Sequence, residues 1–125
     1  MTARERAGVL RGVVELSALD HSALESLLPF FDEVTVPAGA LLACEGRLGH
    51  EFFVVAEGEV EVCRRRRATR LGPGGSFGWA VMHERGRHDA TLVAISPARL
   101  LVMSHAQFRA ADAALTLASV QSVSV

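Results

Sequence analysis

Near residue 33 the apolar residues of this chain change from a helical period to two-residue alternation, and this change constrains the possible folds more than any other feature. Short alternating runs continue to residue 103 and are separated by Gly and Pro, which is typical of short strands joined by tight turns. The runs are Glu33–Val36, Ala40–Ala43, Phe52–Ala56, Val60–Cys63, Ala90–Ile95 and Arg99–Met103. The pattern predicts a mainly β fold, a small antiparallel roll or barrel, over residues 33–103.

Helical periodicity flanks these strands on the N-terminal side. In residues 1–31 two apolar stripes predict helices, and Pro29 limits how far the second one can run. The second helix has two candidate starts, Asp20 as the N-cap or a capping box of Ser22 with Glu25, and both stay open. The stripes are Val9, Leu10, Val13 and Val14, then Leu24, Leu27, Leu28 and Phe31.

A further helix is predicted after the strands, over residues 104–118. Ser104 and Gln107 have the spacing of a capping box at its start. An apolar stripe follows, and such stripes usually pack on the core of their own domain. Residues 119–125 carry no clear signal, so we expect them to fray. The stripe is Phe108, Ala111, Leu115 and Ala118.

Length and composition limit the classes of protein that fit. The 125 residues suffice for one domain with an ordinary core, and we assign residues 1–125 to it. A net charge of −1 excludes a protein whose main work is to neutralise many phosphates. No apolar run approaches the roughly 20 residues of a membrane span and no signal peptide is visible, so a cytoplasmic protein is expected. Cys44 and Cys63 match neither a disulfide scaffold nor a zinc module and are expected to be buried as small apolar residues.

The order of glycines and apolar residues resembles that of a known family. It begins with Val36-Pro37-Ala38-Gly39-Ala40-Leu41-Leu42 and Glu45-Gly46, continues with Phe52-Phe53-Val54-Val55, and ends with Gly58-Glu59-Val60-Glu61-Val62. These residues resemble the cyclic nucleotide-binding domain family, the sensor domain of catabolite-activator-type regulators, kinase regulatory subunits and cyclic nucleotide-gated channels. The resemblance covers residues 16–110 and implies the family's fold, mainly β with flanking helices, an antiparallel β-roll or jelly roll (double-stranded β-helix).

The resemblance places the family's phosphate-binding cassette on residues 74–78 and 87–92, with a short helix near 78–82. In the family this cassette begins Phe-Gly-Glu, whose Glu binds a ribose hydroxyl, and ends Arg-Ser/Thr/Ala-Ala, whose Arg binds the cyclic phosphate. Here the Glu position holds Trp79, the Arg position His88 and the small-hydroxyl position Asp89. The candidate pocket residues are Phe77, Gly78, Trp79, Ala80, Val81, His88, Asp89, Ala90 and Thr91.

These replacements disfavour tight binding of cAMP or cGMP. An Arg–phosphate fork contributes about 1.5–3 kcal/mol, and a carboxylate near the phosphate adds repulsion. Losing both, together with the ribose contact, costs about 3–5 kcal/mol, or roughly two to four decades of affinity. A cyclic nucleotide or another small anion bound in a modified pocket stays the alternative.

Three ways of retaining an anion stay open. A register shift by one residue would place Arg87 on the phosphate, but it would invert the faces of the strand. His88 could carry a charge below about pH 6.5, unless it pairs with neighbouring Asp89. The backbone N–H groups of the short cassette helix could bind an anion without specificity.

The residues at the replaced positions can be interpreted as structural or as functional. Trp79 could fill a pocket left vacant by a lost nucleotide, or it could stack on a different planar ligand. For His88 and Asp89 we expect an ordinary His–Asp hydrogen bond or a solvated loop end.

The run Arg64–Arg67 is the strongest local charge feature. If a hairpin turn centres on Arg65 and Arg66, Glu61 faces Arg70, and an acidic stripe of Glu57, Glu59 and Glu61 balances much of the charge. The run is then a solvated hairpin tip. The alternative is a docking surface for an acidic protein, a membrane headgroup or nucleic acid.

An enzyme is not expected. A roll of this kind can be a metal-binding cupin, but the two His residues expected before Glu51 are absent, and the five His residues of the chain lack ligand spacing. No metal or other cofactor is therefore predicted. We expect a stand-alone regulatory or protein-interaction module that lacks a DNA-binding domain and acts on another protein chain or on a second copy of itself, as a homodimer.

Overall fold

The structure, a computed structural model, describes residues 1–84 and 86–113. Its helices are α1 (Ala3–Arg11), α2 (His21–Leu27), α3 (Trp79–Glu84) and α4 (105–113), with short 3-10 turns at Val14–Leu16 and Leu28–Phe30. Its strands are β1 (Asp32–Val36), β2 (Leu41–Ala43), β3 (Glu51–Glu57), β4 (Val60–Arg64), β5 (Arg67–Leu71), β6 (Ser76–Phe77), β7 (Thr91–Ala94) and β8 (Ala98–Ser104). The predicted mainly β architecture with flanking helices is confirmed.

The strands form two four-stranded antiparallel sheets. One has the order β1-β8-β3-β6 and the other β2-β7-β4-β5, so strands adjacent in sequence are mostly separated in space, as in a roll. The inner faces of both sheets pack on each other in one apolar cluster, which we call the inter-sheet cluster. It includes Phe53, Val55, Val60, Leu92 and Leu100.

A second apolar cluster, the helix-side cluster, covers the outer face of the first sheet. Phe52 and Leu101 project from β3 and β8 into this cluster, where they meet Leu10, Leu24 and the other apolar residues of the helices. Strands β3 and β8 are therefore buried on both faces, which explains why their sequences are almost continuously apolar rather than alternating.

The N-terminal helices are shorter than the predicted stripes. Helix α1 ends at Arg11, and Val14 is 81% exposed, so the stripe does not continue to that residue. The Asp20 side chain accepts a hydrogen bond from the Ala23 amide at 2.8 Å and caps α2. The alternative capping box of Ser22 with Glu25 is wrong.

The predicted start of the C-terminal helix is confirmed. The Gln107 side-chain oxygen accepts from the Ser104 amide at 2.8 Å, and the Gln107 amide donates to the Ser104 hydroxyl at 3.1 Å. Phe108 and Ala111 are buried in the helix-side cluster, so this part of the stripe closes on its own domain. Leu115, Ala118 and the expected fraying of 119–125 lie outside the described residues.

Two remaining predictions concern the cysteines and the membrane. Cys44 and Cys63 are free thiols, but they are half-buried rather than fully buried. Within residues 1–84 and 86–113, no helix is long and apolar enough to cross a bilayer.

Candidate functional site

Gly78 sets the position of the cassette helix α3. Its φ of +99° lies in the left-handed region, and a Cβ atom built there would come within 2.5 Å of the Glu51 carbonyl oxygen. Only glycine fits this close approach without moving the backbone. The chain can therefore turn sharply after β6 and begin α3 at Trp79 against β3.

A cavity of about 470 Å³ opens beside α3. Seven of the predicted pocket residues line it. Four residues outside the predicted set also line it, Glu15, Arg64, Ser76 and Arg87. The seven are Phe77, Gly78, Trp79, Ala80, Val81, His88 and Asp89. Ala90 is instead fully buried in the inter-sheet cluster, and the Thr91 hydroxyl accepts a hydrogen bond from the Glu45 amide at 3.1 Å.

Trp79 borders the cavity without filling it. Its ring packs edge-on against Phe52 at 5.1 Å and Phe108 at 5.7 Å between ring centroids, so the indole joins β3 to α4. Trp79 therefore has a packing role in the helix-side cluster, and the cavity beside its ring stays open.

His88 is 8% exposed and lies on the wall of the cavity. Its ring lies 5.3 Å from the Phe77 ring, and its Nδ1 atom is buried with no hydrogen-bond partner among the described residues. Burial lowers the pKa of His88 below its ordinary value, which outweighs the neighbouring Asp89 carboxylate that raises it. The ring is therefore uncharged at pH 7.

Asp89 does not pair with His88, so the expected His–Asp hydrogen bond is wrong. Its two carboxylate oxygens accept from Nε and Nη2 of Arg64, at 2.9 and 3.1 Å. The pairing follows from the sheet, since β4 lies next to β7 and brings the end of the hairpin beside the end of the cassette. The first arginine of the basic run is thus a cavity residue, held by a bidentate ion pair.

Arg87 reaches the cavity without the one-residue register shift. It forms a β-bridge with Leu48, and its Nη1 donates to the Gly46 carbonyl at 2.7 Å. The N-terminal part of the chain supplies a carboxylate to the cavity, that of Glu15. Both of its oxygens accept hydrogen bonds from the Ser76 hydroxyl, at 2.8 and 2.9 Å. The cavity therefore contains charged groups from outside the cassette.

The hairpin tip has the predicted geometry. The turn centres on Arg65 and Arg66, both at positive φ (48° and 68°), and the register pairs Glu61 with Arg70. The acidic stripe is partly neutralised, since Glu59 pairs with Arg70 and Glu57 with Arg99, each at 3.4 Å.

Comparison with known proteins identifies the family. The profile of the cyclic nucleotide-binding domain matches residues 33–113, which include α4 and all of the roll except Asp32 at the start of β1. The chain belongs to the cyclic nucleotide-binding domain family. A cyclic AMP receptor protein of Thermus thermophilus is 27% identical over 100 residues, which cover 75% of this chain and 46% of the relative. A cyclic nucleotide-gated potassium channel of Mesorhizobium japonicum is 36% identical over 75 residues, 60% of this chain and 21% of the channel.

A solved structure of this fold matches most of both chains. The N-terminal domain of a transcriptional regulator from Streptomyces coelicolor is 30% identical, with a TM-score of 0.72 over 82% of this chain and 78% of that one. The chain spans less than half of the receptor and of the channel. None of the three is named as an enzyme.

In the described part of the chain, no cluster of His, Cys, Asp and Glu could hold a metal ion. Sequence reasoning missed Glu15 and Ser76, and no local signal could have found them, since 61 positions separate the two residues.

Proposed function

We propose that this chain is a regulatory domain that keeps the cyclic nucleotide-binding fold but does not bind cAMP or cGMP tightly. The observation that carries the proposal is His88, which occupies the position where the family resemblance expects the phosphate-binding arginine. The residue is buried and its lowered pKa leaves it neutral at pH 7, so it supplies no positive charge there.

The electrostatics around His88 also oppose a cyclic phosphate. Asp89 places a carboxylate at the small-hydroxyl position, and that carboxylate already holds the guanidinium of Arg64 through two hydrogen bonds. A phosphate would have to displace Asp89 from Arg64 or lie beside its negative charge. Trp79 supplies no acceptor for a ribose hydroxyl, and its ring is packed on Phe52 and Phe108.

Isothermal titration calorimetry with cAMP and with cGMP tests this proposal. The missing contacts correspond to a loss of two to four decades in affinity, so we expect dissociation constants weaker than about 10 μM. A dissociation constant tighter than about 10 μM for either nucleotide would overturn the proposal.

Restoring the family's residues should restore binding. In His88→Arg with Asp89→Ser, the cassette regains its cation and loses the competing carboxylate, and we expect affinity for cAMP to rise about tenfold or more. The triple variant that adds Trp79→Glu restores the ribose contact but removes the packing on Phe52 and Phe108, so the double variant is the primary test. His105→Arg adds the same charge on α4 and serves as the control.

A second candidate function is a sensor of another small molecule. The observation that favours it is the open cavity, whose volume of about 470 Å³ falls within the range of ligand sites. Thermal denaturation with and without added small molecules distinguishes the two candidates. A sensor gains thermal stability from its ligand, while a module without a ligand does not.

The hairpin tip is the surface that we expect to contact a partner protein. Arg65, Arg66 and Arg67 are exposed, and in the part of the chain that the structure describes no acidic side chain pairs with them. We propose that this tip contacts an acidic protein surface, which is either another chain or a second copy of this one. Sedimentation velocity over a wide concentration range, with wild type and an Arg65→Ser, Arg66→Ser, Arg67→Ser variant, tests the second copy. Self-association that the triple variant retains would exclude the tip as the dimer contact.

A further inference from the structure

Two charged groups of opposite sign line the cavity without an ion-pair partner. Glu15 accepts only the Ser76 hydroxyl, and Arg87 donates only to the Gly46 carbonyl, within residues 1–84 and 86–113. The other two charged groups, Arg64 and Asp89, neutralise each other through a bidentate pair. Both Glu15 and Arg87 are exposed at the cavity, so an entering molecule meets one free anion and one free cation.

This arrangement favours a ligand that carries both charges over a ligand with a single charge. A simple anion bound to Arg87 would leave the carboxylate of Glu15 without an ion-pair partner. A simple cation bound to Glu15 would leave the guanidinium of Arg87 without one. A molecule that carries both charges satisfies both groups with charge-assisted hydrogen bonds, which are stronger than neutral ones.

The remaining wall of the cavity is apolar. Phe77 and Val81 are buried, and Trp79 presents part of its ring there, so these side chains can cover the hydrocarbon part of a ligand. The volume of about 470 Å³ accommodates a small organic molecule.

We infer that this cavity binds a zwitterionic small molecule of the amino acid class. Its carboxylate contacts Arg87, its ammonium group contacts Glu15, and its side chain packs on Phe77 and Trp79. The inference rests on the second candidate function above, a sensor of a small molecule other than a cyclic nucleotide, and it names the chemical class of that molecule.

Titration of the full chain with the free proteinogenic amino acids tests the inference. Trp79 is the only tryptophan and the sequence has no tyrosine, so intrinsic fluorescence reports directly on the cavity wall, and calorimetry then gives the affinity. We expect at least one amino acid to bind with a dissociation constant below about 1 mM. Binding of none below that value overturns the inference.

Matched analogues separate the role of each charge. For a hit such as phenylalanine, 3-phenylpropionate lacks the ammonium group and phenethylamine lacks the carboxylate, while both keep the ring. Each analogue should bind about tenfold more weakly or worse, because each loses one charge-assisted contact. Equal affinity of the zwitterion and of either analogue would contradict the proposed ligand class.

Variants of the protein test the assigned residues. Arg87→Gln and Glu15→Gln should each weaken the zwitterion about tenfold or more. Arg109→Gln removes an exposed charge from α4, away from the cavity, and should leave binding unchanged. If Arg87→Gln and Glu15→Gln bind like wild type, the residue assignment is wrong.

The test of this inference and the test of the proposed function can fail independently. Calorimetry with cAMP and cGMP decides whether the cavity has kept the family's ligand, and it uses neither the amino acids nor the Glu15 variant. Weak cyclic nucleotide binding with no amino acid binding overturns this inference alone. Tight cyclic nucleotide binding overturns the proposed function, whatever the amino acids do.

Discussion

At the scale of single residues, Trp79, His88 and Asp89 are each held by specific contacts. Trp79 packs on Phe52 and Phe108, and Asp89 holds Arg64 in a bidentate ion pair. His88 is buried beside Phe77. These contacts give the three side chains structural roles in the fold.

His88 makes the stability of the native chain depend on pH. Near pH 8 the ring is neutral in both native and unfolded chains. As the pH falls through about 6.5, the unfolded chain takes up a proton that the native chain does not, because burial lowers the native pKa. The free energy of unfolding therefore falls with pH and levels off below the native pKa.

Urea denaturation near pH 5 and pH 8, with wild type and His88→Gln, measures this effect. The variant cannot titrate at position 88, while the other histidines contribute equally to both proteins. We expect wild type to lose more stability than the variant on acidification. Equal losses would show that His88 is not held neutral by the fold.

At the scale of elements, the β4–β5 hairpin combines two unfavourable local features. Arg65 and Arg66 both adopt positive φ, which costs a residue with a side chain roughly 1–2 kcal/mol, and the register places Arg64 opposite Arg67. Asn-Gly is the sequence that such a two-residue turn prefers. The choice of arginines therefore works against hairpin stability, which is consistent with a role in contacts to another molecule.

Replacing the turn should stabilise the domain. Arg65→Asn with Arg66→Gly removes most of the backbone strain and two like charges, and we expect a gain of about 1–2 kcal/mol in the free energy of unfolding. Chemical denaturation measures the gain. The control Arg65→Ala with Arg66→Ala removes the same charges but keeps the strain, so it should gain less; an equal gain would assign the effect to charge alone.

The elements also show which features the sequence predicts and which it does not. Strands such as β4 and the capping box of Ser104 with Gln107 depend on neighbouring residues, and the sequence predicted them. The Arg64–Asp89 pair joins residues 25 positions apart, and its partners become neighbours only because β4 and β7 are adjacent in the sheet. The family resemblance predicted seven of the residues that line the cavity, but the charged residues that other elements supply, Glu15 and Arg64, could not be predicted from local patterns.

At the scale of the whole molecule, the core is divided in two by the first sheet. The inter-sheet cluster lies between the two sheets, and the helix-side cluster joins the N-terminal helices, α3 and α4 to the outer face of β3 and β8. Trp79 belongs to the helix-side cluster and also borders the cavity, so its environment reports on how α4 is docked. The two clusters should therefore respond differently to comparable losses of apolar volume.

Phe108→Ala and Leu92→Ala test this division. Both side chains are buried, at 8% and 1% exposure, and both truncations should cost about 2–5 kcal/mol in the free energy of unfolding. Phe108 contacts Trp79, whereas Leu92 lies in the inter-sheet cluster, so Phe108→Ala should shift the native-state emission of Trp79 to the red, while Leu92→Ala should leave it in place. Fluorescence spectra under native conditions, together with denaturation curves, give both quantities. A red shift in Leu92→Ala as large as that in Phe108→Ala would mean that the clusters respond as one core, and that Trp79 does not report on α4 alone.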